Sequence, residues 1–146
     1  MSIFPTDILL ATDGSREATL AASTAVQLAE RTNSKLHVVF VMYPREHLLS
    51  EDEILAAYDV KAAQEEAERA VEYMVDQVES VGGAVAHTHL RRGRPDAEIV
   101  ALAEQLGSGL IVMGSRGRGG LRRALMGSVS DSVIRYAHCA VLVVRE

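Results

Sequence analysis

Cysteine is nearly missing from this chain of 146 residues: Cys139 stands alone, so an internal disulfide and any cysteine-pair metal motif are excluded. Lysine is almost as scarce, with only Lys35 and Lys61. No apolar run approaches the roughly 20 residues that a membrane-spanning helix needs. The opening Met1-Ser2-Ile3-Phe4-Pro5-Thr6 lacks the basic end and long apolar stretch of a secretion signal, and with one thiol the expected compartment is a reducing cytoplasm. A basic balance is also missing. The net charge is −5, against the positive charge usual in a nucleic-acid binder, so neither nucleic acid nor membrane is expected as a partner.

What is present is an ordinary globular balance, 48% hydrophobic and 24% charged. The length suits one domain over residues 1–146. Charge is unevenly spread: Ser50 to Ser80 holds ten acids against Lys61 and Arg69, whereas Arg91 to Arg123 holds seven arginines against Asp96, Glu98 and Glu104. A local basic region in an acidic protein points to an anion site rather than a DNA surface.

Apolar runs at Asp7–Thr12, Lys35–Val41, Leu110–Met113 and Ala140–Val144 read as strands; the first, without alternation, suits a strand buried on both faces, and the last an apolar edge. Ala84–Leu90 alternates and reads as an edge strand. Between them lie helical stripes. Ala18, Ala22, Ala25, Val26 and Ala29 follow a possible Ser15 cap. Ala67, Ala70, Val71, Met74, Val75 and Val78 follow a capping box at Ser50-Glu51-Asp52-Glu53 and stop at Gly82-Gly83. Ile99, Leu102, Ala103 and Leu106 follow Pro95; Val129, Val133, Ile134 and Ala137 form the last stripe. Strands alternating with helices predict an α/β fold: one open, twisted parallel sheet of five strands with helices on both faces. Such sheets bind ligands beyond the carboxyl ends of their strands.

The loop after the fourth strand carries the chemistry. It runs Gly114-Ser115-Arg116-Gly117-Arg118-Gly119-Gly120-Leu121-Arg122-Arg123-Ala124-Leu125-Met126-Gly127-Ser128-Val129-Ser130. Gly114 and Gly117 would let main-chain N–H groups approach an anion. Gly127-Ser128 opens a helix whose first amides lack internal partners and attract phosphate. Ser115, Ser128 and Ser130 add hydroxyl donors. The plainer alternative is a tight loop followed by a capped helix, with Asp131 completing a capping box. The loop is not a Walker A motif, having no lysine. It is not a Rossmann fingerprint either, because the third glycine falls on Arg122. The Arg116–Gly120 tract is too short, and too poor in aromatics, for RNA stacking. No histidine–carboxylate relay accompanies the serines, so no catalytic residue is assigned.

The spacing Gly114-x2-Gly117-x9-Gly127-Ser128 resembles the nucleotide-binding pattern of ATP-binding universal stress proteins. The opening Ile8-Leu9-Leu10-Ala11-Thr12-Asp13-Gly14-Ser15 and the ending His138-Cys139-Ala140-Val141-Leu142-Val143-Val144 are similar to that family too, apart from alanine at 140 where proline is common. The resemblance implies a Rossmann-like fold of the adenine nucleotide alpha hydrolase type, strand order 3-2-1-4-5, that holds ATP with Mg2+. By matching position, Asp13 would contact ribose and the Val41 backbone would meet adenine. Gly114, Ser115, Gly117, Gly127, Ser128, Val129 and Ser130 would surround the phosphates. Ala11, Thr12 and Met113 would flank the cleft, with Arg116 as a lid residue. Any metal ligands are left unassigned. The resemblance also implies a homodimer joined through Ala140–Val144, with an unidentified protein partner. Two alternatives stay open: a slow ATPase or nucleotidyl-transferring enzyme, and a dimeric interaction protein that needs no nucleotide.

Three lesser features are weighed. Asp13 could be a bare turn residue before Gly14. His87 and His89 share a face of the third strand, two nitrogens where zinc wants four ligands, and are expected as a surface pair. Cys139 is expected to be buried and inert.

Overall fold

The strands of this chain are short, and their backbone groups must be satisfied by neighbouring strands. The computed structural model describes residues 2–13, 16–42, 60–115 and 127–145. Five parallel strands form one sheet: β1 (Asp7–Thr12), β2 (Lys35–Met42), β3 (His87–Arg92), β4 (Leu110–Gly114) and β5 (Ala140–Val144). Their spatial order is β3-β2-β1-β4-β5, as the resemblance implies. The helices between them are α1 (Arg16–Thr32), α2 (Val60–Ser80), α3 (Pro95–Leu106) and α4 (Ser128–Tyr136).

Alternation along the strands divides the core in two. Ile8, Leu10, Leu36, Val38, Leu110 and Val112 meet the alanine stripe of α1 together with Met74 and Val78 of α2. Small alanines let α1 lie close to the sheet. On the opposite face Leu9, Ala11, Val39, Ile111 and Met113 pack on Ile99, Leu102 and Ala103 of α3 and Val133 of α4. Buried faces on both sides explain why β1 and β4 read as continuous apolar runs.

Pro95 opens α3, where a missing N–H is harmless. Gly107 closes it at φ 65°, its N–H bonded to Glu104 O at 3.1 Å, a left-handed position that favours glycine.

Three sequence expectations need correction. The third strand is His87–Arg92 rather than Ala84–Leu90. Its residues pair with β2 from His37↔His87 to Met42↔Arg92; the upstream residues only reach the sheet, Ala86 N–H donating to Leu36 O at 2.7 Å. Ile134 does not join the core but is 46% exposed, beside Tyr136 at 68%. Finally, His87 and His89 are not a pair on their own, because a third histidine joins them. The expected Ser15 cap and the capping box at Ser50–Glu53 lie outside the described residues.

Candidate functional site

In the parallel register the carboxyl-end portions of four strands come level. Thr12 of β1 pairs with Phe40 of β2, and Gly114 of β4 pairs with Val144 of β5. Since β1 and β4 are adjacent, Asp13 and Ser115, which follow them, lie at the same end of the sheet. This is where an open α/β sheet offers a ligand crevice.

A buried polar network frames that end. Ser115 is 3% exposed and donates its hydroxyl to Glu17 Oε2 at 2.7 Å. The Ser115 carbonyl accepts twice, from the Gly127 N–H at 2.6 Å and from the Ser130 hydroxyl at 2.5 Å. Ser130 also reaches the Gly127 carbonyl at 3.0 Å. The start of α4 is thereby fastened to the end of β4, although eleven residues (116–126) separate them in the chain.

From α3, Asp96 Oδ2 accepts the Ser132 hydroxyl at 2.8 Å and so secures the same helix from another side. Burial alone would raise the Asp96 carboxyl. The bonds from Ser132 and the Ala97 N–H, with Arg94 alongside, outweigh it and hold the group below the usual carboxylate range.

These bonds change the roles expected of the glycine turn. The Gly127 amide is already taken by Ser115, and the Ser115 amide by Val144 O at 3.0 Å. At Gly114 the missing side chain makes room for α1. A Cβ there would lie 2.9 Å from Glu17 Cβ and 3.2 Å from the Glu17 carbonyl carbon. Ser128, Val129 and Ser130 form the first turn of α4, whose amides have no acceptor within the helix itself. Gly127 at its N-cap supplies no side-chain bond. Ser128 is exposed, Val129 half-buried and Ser130 buried.

Of the remaining sequence candidates, Ala11, Thr12 and Met113 are buried, Ala11 and Met113 within the core. Asp13 and Val41 are half-buried at the ends of their strands. Arg116 and Gly117 lie outside the described residues.

The sequence reading missed Glu17. Its place in the first turn of α1 reads as an ordinary helix-start acid. Only the fold shows it 6% exposed behind Ser115.

With the geometry in hand, comparison with known proteins is informative. The sequence profile of the Universal stress protein family matches residues 6–145. This chain belongs to the universal stress protein family. A universal stress protein of Methanocaldococcus jannaschii is 36% identical over 143 residues, covering 95% of this chain and 81% of the relative. The universal stress protein UspA from Lactobacillus plantarum superposes with a TM-score of 0.83 at 26% identity, covering 97% of this chain and 99% of that one. Another universal stress protein, solved in complex with cAMP, has a TM-score of 0.71 at 25% identity and covers 96% of this chain and 97% of its own. The expectation of a universal stress protein fold in order 3-2-1-4-5 is met.

Among the described residues no helix is long and apolar enough to cross a membrane. Cys139 is partly buried, and burial pushes its thiol up, away from reactive thiolate.

Proposed function

We propose that this universal stress protein is a cytoplasmic single-domain module that binds an adenine nucleotide at the carboxyl end of its sheet. ATP with Mg2+ is the ligand favoured by the glycine spacing. The nucleotide sets conformation or partner affinity rather than being turned over rapidly. The observation that carries this reading is the start of α4, fastened by Ser115 and Ser130 so that the Ser128, Val129 and Ser130 amides form one rigid donor group. A phosphate bound there would also meet the positive end of the helix. The relative solved with cAMP supports adenine as the base. On this reading Asp13 takes the ribose and the Val41 backbone the adenine, with Gly114 and Gly127 acting through shape.

The same reading makes β5 a dimer seam. It is the outer strand of the sheet, apolar and half-buried over Val141–Val144, the kind of edge that pairs with a second copy. Chemical cross-linking or light scattering of wild type and Val143→Lys tests this, and a dimer unchanged by the lysine would refute it.

For the nucleotide, thermal unfolding with and without Mg-ATP is decisive. A ligand at about 100 times its Kd adds about 2.7 kcal/mol, which is about 5–10 °C for a domain of this size. Gly127 has φ −66° and ψ 155°, extended backbone that valine adopts readily, so Gly127→Val should fold and lose the shift. Retained affinity would refute the contact. Steady turnover on the order of 10 per second would replace the binding module by an enzyme. One observation favours the nucleotide-independent reading, namely that the Ser115 and Gly127 amides are already satisfied within the protein; no thermal shift at millimolar ATP would establish it.

A further inference from the structure

The strand β3 forms one edge of the sheet, and none of its residues is fully buried. Little apolar packing therefore holds it. Main-chain pairing with β2 runs along its length, and side chains add anchors in two places. In its carboxyl half Arg91 reaches α3, donating to Gln105 Oε1 at 2.5 Å with Glu98 at 4.0 Å. In its amino half the anchor is a cluster of histidines.

His37 of β2 pairs in register with His87, and Val39 with His89, so strand alternation puts the three rings on one face. That face packs on α3 through Val39, while α2 lies on the other, against Leu36 and Val38. The His37 ring stacks on His89 at 5.3 Å between centroids and stands 5.4 Å from His87. His37 is 3% exposed, and its Nδ1 faces His89 Nε2 at 3.1 Å. Two imidazole nitrogens in such contact need one proton between them, one donating and the other accepting. The other His37 nitrogen, Nε2, is buried without a hydrogen-bond partner, 3.7 Å from Asp7 Oδ2 of β1. Lys35 of β2, with His87 and Arg91 of β3, completes the set of charges that bear on the pair.

Counting protons shows what this anchor tolerates. One added proton can be held: His37, protonated on both nitrogens, still donates through Nδ1 to His89 and turns its Nε2–H toward Asp7. A second cannot. Both facing nitrogens would then carry hydrogen, the contact would lose its acceptor, and two cations would stand 5.3 Å apart beside Lys35 and Arg91. We propose that these histidines are an acid-sensitive latch: when His37 and His89 are both protonated, the amino half of β3 peels from β2, while Arg91 keeps the carboxyl half on α3. Release bares His37 and the outer edge of β2, main-chain groups that can then pair elsewhere. Burial, the chief cause, lowers both imidazoles, which keeps the latch closed at neutral pH. The latch does not depend on the nucleotide proposal, since it lies toward the opposite end of the strands.

The test is amide hydrogen exchange on the full chain without nucleotide, at about pH 7.5 and about pH 5, on either side of the ordinary histidine value. Each rate is divided by the intrinsic rate at that pH. In wild type the protection of residues 86–89 should fall roughly tenfold or more at the lower pH, while that of β1 and β4 holds. His89→Gln cannot titrate and should keep that protection nearly constant. Asp7→Asn removes the counter-charge and should move the loss to higher pH. Equal protection of residues 86–89 at both pH values in wild type would overturn the latch. So would an acid loss undiminished in His89→Gln, unmoved in Asp7→Asn, or spread evenly over β1 and β4.

Discussion

The two ends of this sheet each bury a polar cluster, and they are built oppositely. At the carboxyl end, Ser115 donates to Glu17 and its carbonyl receives both Gly127 and Ser130. At the amino end, His37 makes one bond, to His89, and leaves a nitrogen unpaired. A network whose donors and acceptors are matched is a frame: it holds two segments in fixed relation and asks nothing of a ligand. A buried nitrogen left short is instead a cost that the fold carries. The carboxyl-end network therefore acts as a frame that fixes the start of the following helix.

Substitutions can break that contrast. The largest effect is expected from Gly114→Ala, whose methyl would press on Glu17 Cβ at 2.9 Å. Overpacking of this kind costs about 1–3 kcal/mol, and denaturant unfolding would register it. An unchanged midpoint would mean that α1 moves aside freely.

Ser130→Ala comes next. It removes the bonds to Ser115 O and Gly127 O and should cost about 1–2 kcal/mol. If Ser128→Ala, at an exposed position without a capping bond, cost as much in the same unfolding measurement, the division between frame and ligand face would be wrong. Its own expected effect is within about 0.5 kcal/mol on stability.

Smaller again is the acid response of the other end. Burial is the chief cause that lowers the His37 and His89 imidazoles, each helped by its positive neighbours, while Asp7 partly offsets the shift at His37. A histidine whose folded pKa is depressed contributes its full stability above the ordinary value of about 6.5. That contribution is lost as pH falls from there through the folded pKa, because the unfolded chain binds the proton more readily. Stability should therefore decline as pH falls below about 6.5 in wild type, and decline less in His89→Ala. Asp96, held low, adds a loss at more acid pH, which Ser132→Ala should diminish. Equal pH profiles for wild type and His89→Ala would remove the histidines from the account.

Much of the frame was legible beforehand because it depends on local pattern. The apolar runs became β1, β2, β4 and β5, and the stripes of α1, α2 and α3 faced the core where spacing put them. Ile134 escaped this logic. The stripe on α4 is short, and which of its apolar residues faces the sheet depends on the helix's neighbours; Val133 took the core and Ile134 the outside. The strand expected at Ala84–Leu90 slipped toward Arg92 because pairing with β2, not hydrophobicity, decides where an edge strand begins.

The candidate site divides the same way. Its location followed from the sequence alone, since glycines and serines after a buried strand and before a helix are visible to inspection. The assignment of individual donors did not. Ser115 meets Glu17 across 98 positions and His37 meets His89 across 52, and no local pattern encodes a contact between residues that far apart. By itself, the amino-acid order determined most of the strands and helices, and it marked the stretch after the fourth strand as the candidate anion site, because periodicity and chain flexibility act over a few residues. Only the folded sheet decided that the Ser115 and Gly127 amides are spent on the protein, and that one histidine in an apolar strand would find two others. Those outcomes depend on strand order and register, which bring distant residues within hydrogen-bond reach.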